Sequence, residues 1–148
     1  MRPLLKKNSV TEITKIQDHP ARPFYPNDVK WMRAAIAASR QALGRTGVNP
    51  PVGCVLVSAD GRLLSVGHTG RGGVPHAEVA ALQSLEKKDF ISLKGGTAYV
   101  TLEPCCHFGK TPPCSEALIA AGIARLVIAF KDPDHRVNGA GLDKLVDA

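Results

Sequence analysis

Val52-Gly53-Cys54-Val55-Leu56-Val57, Ser58-Ala59-Asp60-Gly61-Arg62, then Leu63-Leu64-Ser65-Val66: this stretch reads as a buried strand, a tight turn and a partner strand. The first run is apolar and rich in valine, and Asp60-Gly61 is a pair that tolerates the positive φ of a hairpin turn. Upstream, Asn49-Pro50-Pro51 breaks the chain. Before it, Val29, Met32, Ala35, Ile36 and Leu43 fall at helical spacing, with Asp28 as N-cap and Gly44 as stop. Downstream, a glycine-rich loop over 67–73 leads to Pro75, and Val79, Leu82 and Leu85 recur every three residues, which predicts a helix from about His76 to Lys87. Thr97 to Thr101 predicts a strand, Ser115 to Gly122 a helix, and Arg125 to Phe130 a further buried strand. Leu142, Leu145 and Val146 begin a last amphipathic segment. Helix, hairpin, helix, strand, helix, strand predicts an α/β domain of three layers, α/β/α, around a mixed central sheet. Residues 1–27 carry four prolines and no sustained periodicity, so they are expected to be a mostly irregular extension before a domain spanning 28–148.

The 148 residues suit one domain with a sizeable core, and 44% hydrophobic with 22% charged residues is ordinary for a soluble globular protein. No apolar run approaches the ~20 residues of a membrane span, and no apolar stretch precedes a small-residue cleavage site, so neither membrane insertion nor secretion is expected. The formal charge of +6 invites a nucleic-acid reading, but half of that excess lies in the first thirty residues and the rest is diffuse. A mildly basic pocket for a phosphorylated small molecule explains it equally well. Three of the four cysteines cluster at 105, 106 and 114, which favours metal ligation in a reducing compartment over disulfides, hence a cytoplasmic location.

His76-Ala77-Glu78, Pro104-Cys105 and Cys114 together supply one imidazole, two thiols and a carboxylate. That is the donor set of a catalytic zinc site with one coordination position left for water, whose acidity the metal raises. His76 and Glu78 are two residues apart and would lie on nearly opposite faces in mid-helix, so they serve one site only if it lies off the helix N-terminus. Glu78 then reads as a proton shuttle from water to a substrate ring nitrogen and on to departing ammonia. The competing reading is a closed zinc site that only holds loops together, with Cys106 as a fourth donor. An acid two residues after His76 has no purpose in such a site.

The residues also carry a resemblance. Pro75-His76-Ala77-Glu78-Val79 and Tyr99-Val100-Thr101-Leu102-Glu103-Pro104-Cys105 resemble the cytidine deaminase-like superfamily. Eight residues separate Cys105 from Cys114 where the general pattern has two. This longer segment, Cys105-Cys106-His107-Phe108-Gly109-Lys110-Thr111-Pro112-Pro113-Cys114, resembles the deaminase domain of the bifunctional riboflavin-biosynthesis deaminase/reductases, as do Asn49-Pro50-Pro51-Val52-Gly53 and Asp132-Pro133-Asp134. The resemblance implies a cytidine deaminase-like fold and hydrolytic deamination of 2,5-diamino-6-ribosylamino-4(3H)-pyrimidinone 5′-phosphate. It implies zinc held by His76, Cys105 and Cys114, with Glu78 as acid and base. Asn49, Ala77 and His107 would contact the substrate, Lys110 its phosphate, and Asp132 and Asp134 would lie near the ribose. Thr69 stands where many members have histidine, Cys106 where serine is usual, and His135 where proline is. The family continues into a reductase domain that uses NADPH, so a reductase domain or partner enzyme is expected for the next step, and a homo-oligomer is compatible with this reading.

Several features have plainer readings. Gly109-Lys110-Thr111 mimics the end of a phosphate-binding P-loop, but Pro104 stands where that motif needs glycine. Cys54 reads as a core residue, Trp31 as core or subunit interface, Lys110 alternatively as a solvated charge, and Asp132 and Asp134 alternatively as turn residues around Pro133. Two other functions remain in contention: deamination of another nucleoside, nucleobase or tRNA, and an inactive zinc-binding remnant. The Cys105–Cys114 insert and the lack of a basic, aromatic platform disfavour nucleic acid as the substrate, and the presence of Glu78 disfavours the remnant.

Overall fold

A computed structural model describes residues 12–15, 26–109 and 111–133. Five strands form one sheet: β1 (Glu12–Lys15), β2 (Gly53–Val57), β3 (Leu63–His68), β4 (Thr97–Leu102) and β5 (Arg125–Phe130). Their order is β1-β5-β4-β2-β3, with β1, β5 and β4 mutually parallel and β2 antiparallel to both β4 and β3. The helices are α1 (Pro26–Gln41), α2 (Ala77–Gln83), α3 (Lys87–Leu93) and α4 (Cys114–Ala120), with one 3-10 turn at Arg71–Gly73. The mixed sheet between helical layers agrees with the expected architecture.

Alternation along the strands divides the core in two. Cys54, Leu56, Ala98, Val100, Leu126 and Ile128 face Ala77, Ala81, Leu93 and Leu118 of α2, α3 and α4. Val55, Val57, Tyr99, Val127 and Ala129 face Trp31, Met32 and Ala35 of α1. Trp31 is therefore a core residue. Both helical layers approach the sheet at glycine. A Cβ on Gly53 would overlap the Ala35 carbonyl oxygen and come within 2.8 Å of Ser39 N, and one on Gly67 would overlap the backbone of Ala77 and Ala81. Gly67 thereby lets the start of α2 lie directly on the sheet.

Three expectations about the elements change, and a fourth is untested. Within the segment expected to be mostly irregular, Glu12–Lys15 adds an edge strand beside β5. In α1 the inward face is Trp31, Met32, Ala35, Ala38 and Ala42, while Val29 and Ile36 are each 38% exposed and Leu43 60%; the close approach at Gly53 selects small side chains over larger ones. The helix expected to run to Lys87 stops at Ser84, whose hydroxyl donates to Ala80 O at 2.8 Å, and Leu85 N closes a tighter turn on Leu82 O at 3.2 Å. The chain restarts as α3. The segment around Leu142, Leu145 and Val146 lies outside the described residues.

Asp28 is also not a cap. Helix α1 begins two residues earlier, at Pro26, a residue suited to a first turn. The carboxylate of Asp28 turns inward: Oδ1 accepts from Tyr99 Oη at 2.8 Å and Arg125 Nη1 at 2.7 Å, and Oδ2 accepts from Arg125 Nη2 at 2.9 Å. This fork joins α1 to β4 and β5, and burial with the Asp28 contact raises the Tyr99 hydroxyl pKa. Removing one partner of a buried pair leaves the other charge without compensation. Asp28→Ala is therefore expected to destabilise the chain by about 3 kcal/mol, read as a lower urea midpoint; a midpoint equal to the parent's would refute this.

Candidate active site

The loops that matter gather at one end of the sheet, where the parallel strands β4 and β5 finish, β2 begins and β3 ends. In open α/β sheets, ligands bind beyond the carboxyl ends of parallel strands. The entry to β2 is stitched to the exit of β3 through Thr69: its backbone N–H donates to Val52 O at 3.0 Å, and its hydroxyl accepts from Val52 N at 2.9 Å and donates to Pro50 O at 3.2 Å. The hydroxyl of Thr69 is thus committed to the backbone. From there the chain crosses the 3-10 turn and a cis Val74-Pro75 peptide to His76.

His76 is the residue before α2, in extended conformation, and its carbonyl accepts Ala80 N at 2.9 Å. Glu78 follows in the first turn, and both side chains reach the same cavity. The two-residue spacing required this placement at a helix start. Cys105 follows β4, and Cys114 opens α4. The Nδ1 of His76 lies 3.5 Å from Cys105 Sγ and 3.3 Å from Cys114 Sγ, and Cys114 N donates to Cys105 Sγ at 3.3 Å. The three donor atoms all fall within 4.8 Å of one another, and among the described residues they are the only such group. Cys106 is buried and outside it.

The electrostatics of the three donors suit a cation. The Cys105 thiol is acidified to about 4, chiefly by its hydrogen bond with Cys114 and then by that with His76. Cys114 is pushed the other way by the Cys105 sulfur, by burial and by the charge of Glu78. Without a cation the pair holds one proton back; a dication between the sulfurs removes that penalty and makes both thiolates available as ligands. Two sulfurs and one imidazole nitrogen in this arrangement fit zinc, leaving a fourth position free. Glu78 is only 3% exposed, and burial raises its carboxyl pKa to about 7, with the Cys105 charge adding to the rise. A carboxyl poised near neutrality can both accept and return a proton.

The cavity beside these groups measures about 560 Å³. Of the residues expected at the substrate, Asn49, His107 and Asp132 line it. The Asn49 amide is oriented by donation from Nδ2 to Gly73 O at 3.3 Å. Ala77 does not line it: its side chain is fully buried in the core beneath α2, because the face that follows His76 into the helix turns towards the sheet. Lys110 and Asp134 lie outside the described residues. Val48, Val74, Thr111 and Glu103 line the cavity without having been singled out from the sequence. The signal for Glu103 was present: a carboxylate between Leu102 and Pro104, at a strand exit beside a predicted ligand.

This chain belongs to the cytidine and deoxycytidylate deaminase family, whose zinc-binding region it matches over residues 26–130. It is 48% identical over 121 residues to the riboflavin biosynthesis protein RibD of Escherichia coli, a match that takes in 82% of this chain and 32% of the relative. It is 46% identical over 116 residues to the diaminohydroxyphosphoribosylamino-pyrimidine deaminase of Buchnera aphidicola, covering 78% of this chain and 76% of that protein. A crystal structure of a Thermotoga maritima diaminohydroxyphosphoribosylaminopyrimidine deaminase/5-amino-6-(5-phosphoribosylamino)uracil reductase superposes with a TM-score of 0.74 at 43% identity, over 82% of this chain and 34% of that one. The riboflavin-biosynthesis branch expected from the inter-cysteine segment is the one these relatives occupy. The chain spans about a third of the length of the RibD proteins. Among the described residues no helix is long and apolar enough to cross a membrane.

Proposed function

We propose that this chain deaminates 2,5-diamino-6-ribosylamino-4(3H)-pyrimidinone 5′-phosphate to the corresponding 5-aminouracil, with zinc as cofactor, and that residues 28–148 constitute the deaminase domain. One observation carries the reading: a buried carboxylate held near neutrality beside a three-donor group of one imidazole and two sulfurs, opening on a cavity. His76, Cys105 and Cys114 would hold the zinc, which would supply the Lewis acidity that makes water nucleophilic near pH 7. Glu78 would take one proton from the attacking water and pass it to the ring nitrogen next to the carbon under attack, then take the remaining proton of the added hydroxyl and pass it to the departing amine, which leaves as ammonia. The protonated form, favoured by burial, is the one that donates; the charged form is the one that accepts. Asn49, His107 and Asp132 line the cavity, and their hydrogen-bonding groups would orient the ring and ribose. Lys110 and Asp134 carry the phosphate and ribose roles that the resemblance implies, and Ala77 is left with its backbone as the only group to offer.

The support for this substrate is the length of the Cys105–Cys114 segment together with the relatives named above. The product still needs reduction of its ribosyl group, so a reductase domain or a separate reductase must follow. Four free cysteines suit a reducing compartment such as the cytoplasm. Ammonia release should be measured on the zinc-loaded chain with the pyrimidine phosphate, cytidine, guanine and a tRNA in parallel. The pyrimidine phosphate is expected to be turned over with kcat/KM at least about 10³-fold above the others, because a site that hydrogen-bonds a group rejects analogues lacking it. Turnover of cytidine or tRNA at a comparable rate would place the chain elsewhere in the family, and no turnover of any of them with zinc at one per chain would mark an inactive remnant.

A further inference from the structure

Strands β4 and β5 run parallel, in register from Thr97 with Arg125 to Leu102 with Phe130, and then separate. The exit of β4 leads to Cys105 and the metal-binding group, and that of β5 leads to Asp132 on the cavity wall. One more backbone bond, Glu103 N to Phe130 O at 2.9 Å, extends the ladder past both strands. Pro104, fully buried, follows it. At that fork the Glu103 side chain takes over: Oε2 accepts the Asp132 N–H at 3.4 Å, and the residue is 3% exposed while lining the cavity.

We propose that Glu103 is a positioning residue that clamps the β5 exit, so that Asp132 stands at a fixed place on the cavity wall relative to Cys105. The proposal rests on the deaminase reading for its effect on substrate, and on backbone geometry for the clamp itself. The Asp132 N–H lies at the end of a strand just before Pro133, and the buried Glu103 carboxylate is a strong acceptor for it. The carboxylate thereby gives the Asp132 N–H an acceptor from the β4 exit. Asp132 contributes to substrate affinity only while its backbone is held, so the effect should appear in KM and leave kcat nearly unchanged.

The test compares Glu103→Ala, Glu103→Gln, Asp132→Ala and the double variant Glu103→Ala/Asp132→Ala, each zinc-loaded and full-length. Amide exchange at Asp132 should quicken about tenfold in E103A and return to within about twofold of the parent in E103Q, whose amide oxygen still accepts. Protection at Val55, in the central strand β2, reports whether a variant is folded. KM for the pyrimidine phosphate should rise about tenfold in E103A with kcat within about twofold, and the double variant should be no worse than D132A alone. Unchanged exchange at Asp132 in a folded E103A protein overturns the clamp, as do losses that add in the double variant. Should the parent chain fail to turn over the pyrimidine phosphate, the functional reading falls, while the exchange comparison still decides whether Glu103 holds the β5 exit.

Discussion

Glu78→Gln is expected to keep zinc at one per chain and to cut ammonia release from the pyrimidine phosphate by about 10³-fold or more. Glutamine has nearly the same shape, hydrogen-bonds as an amide, and cannot take up or give back a proton. The proposed metal donors are His76, Cys105 and Cys114, without Glu78, so the metal site should survive the change. KM should move little, because the lost interaction belongs to the proton transfers and not to holding the ground state. The measurement is a steady-state ammonia assay on the same sample used for elemental analysis. If the variant loses its zinc, Glu78 is a ligand and the proton role is wrong. If it keeps both zinc and activity, another group moves the proton.

The second large effect is expected at Cys114. Cys114→Ser should weaken zinc binding by at least about 100-fold, since the hydroxyl stays protonated at neutral pH and a neutral oxygen is a poor substitute for thiolate. Activity should fall in proportion to the metal lost. Cys106→Ser is the informative companion, because Cys106 is adjacent in sequence to Cys105 yet lies outside the donor group. It should retain zinc and turnover. Competition against a chelator of known affinity measures both. A Cys106→Ser protein that lost its metal would revive the closed four-donor site and remove the open position that hydrolysis needs.

Much of this was legible in the residues, for identifiable reasons. Strands β2 and β5 declare themselves because a strand buried on both faces has to be apolar throughout, and the Asp60-Gly61 turn marks β3 as the hairpin partner of β2. The donors declare themselves because imidazole, thiols and a carboxylate at helix and strand boundaries have few other uses. What stayed hidden depends on tertiary distance. Helical spacing picks out Met32 and Ala35, but nothing local adds Ala38 and Ala42 to that face; the Gly53 backbone does, by coming too close for Val29 or Ile36 to serve. The break at Ser84 depends on whether Leu85 and Leu93 can both reach the core, a question that helical spacing does not ask. Glu103 looked like part of a motif because its partner, the Asp132 amide, lies 29 residues away. Glu12–Lys15 has too few residues to show a period, and its partner strand begins at Arg125.

That last pairing bears on how the chain is made. Glu12 sits opposite Arg125, so β1 cannot pair until the chain has been synthesised through β5. At roughly 5–20 residues per second the interval is several seconds or more. During that time β2 can pair with β3 on one side and with β4 on the other, while β1 stays unclaimed. Completion of the sheet at that edge is thus a late event in biogenesis, set by translation and not by the intrinsic speed of strand docking.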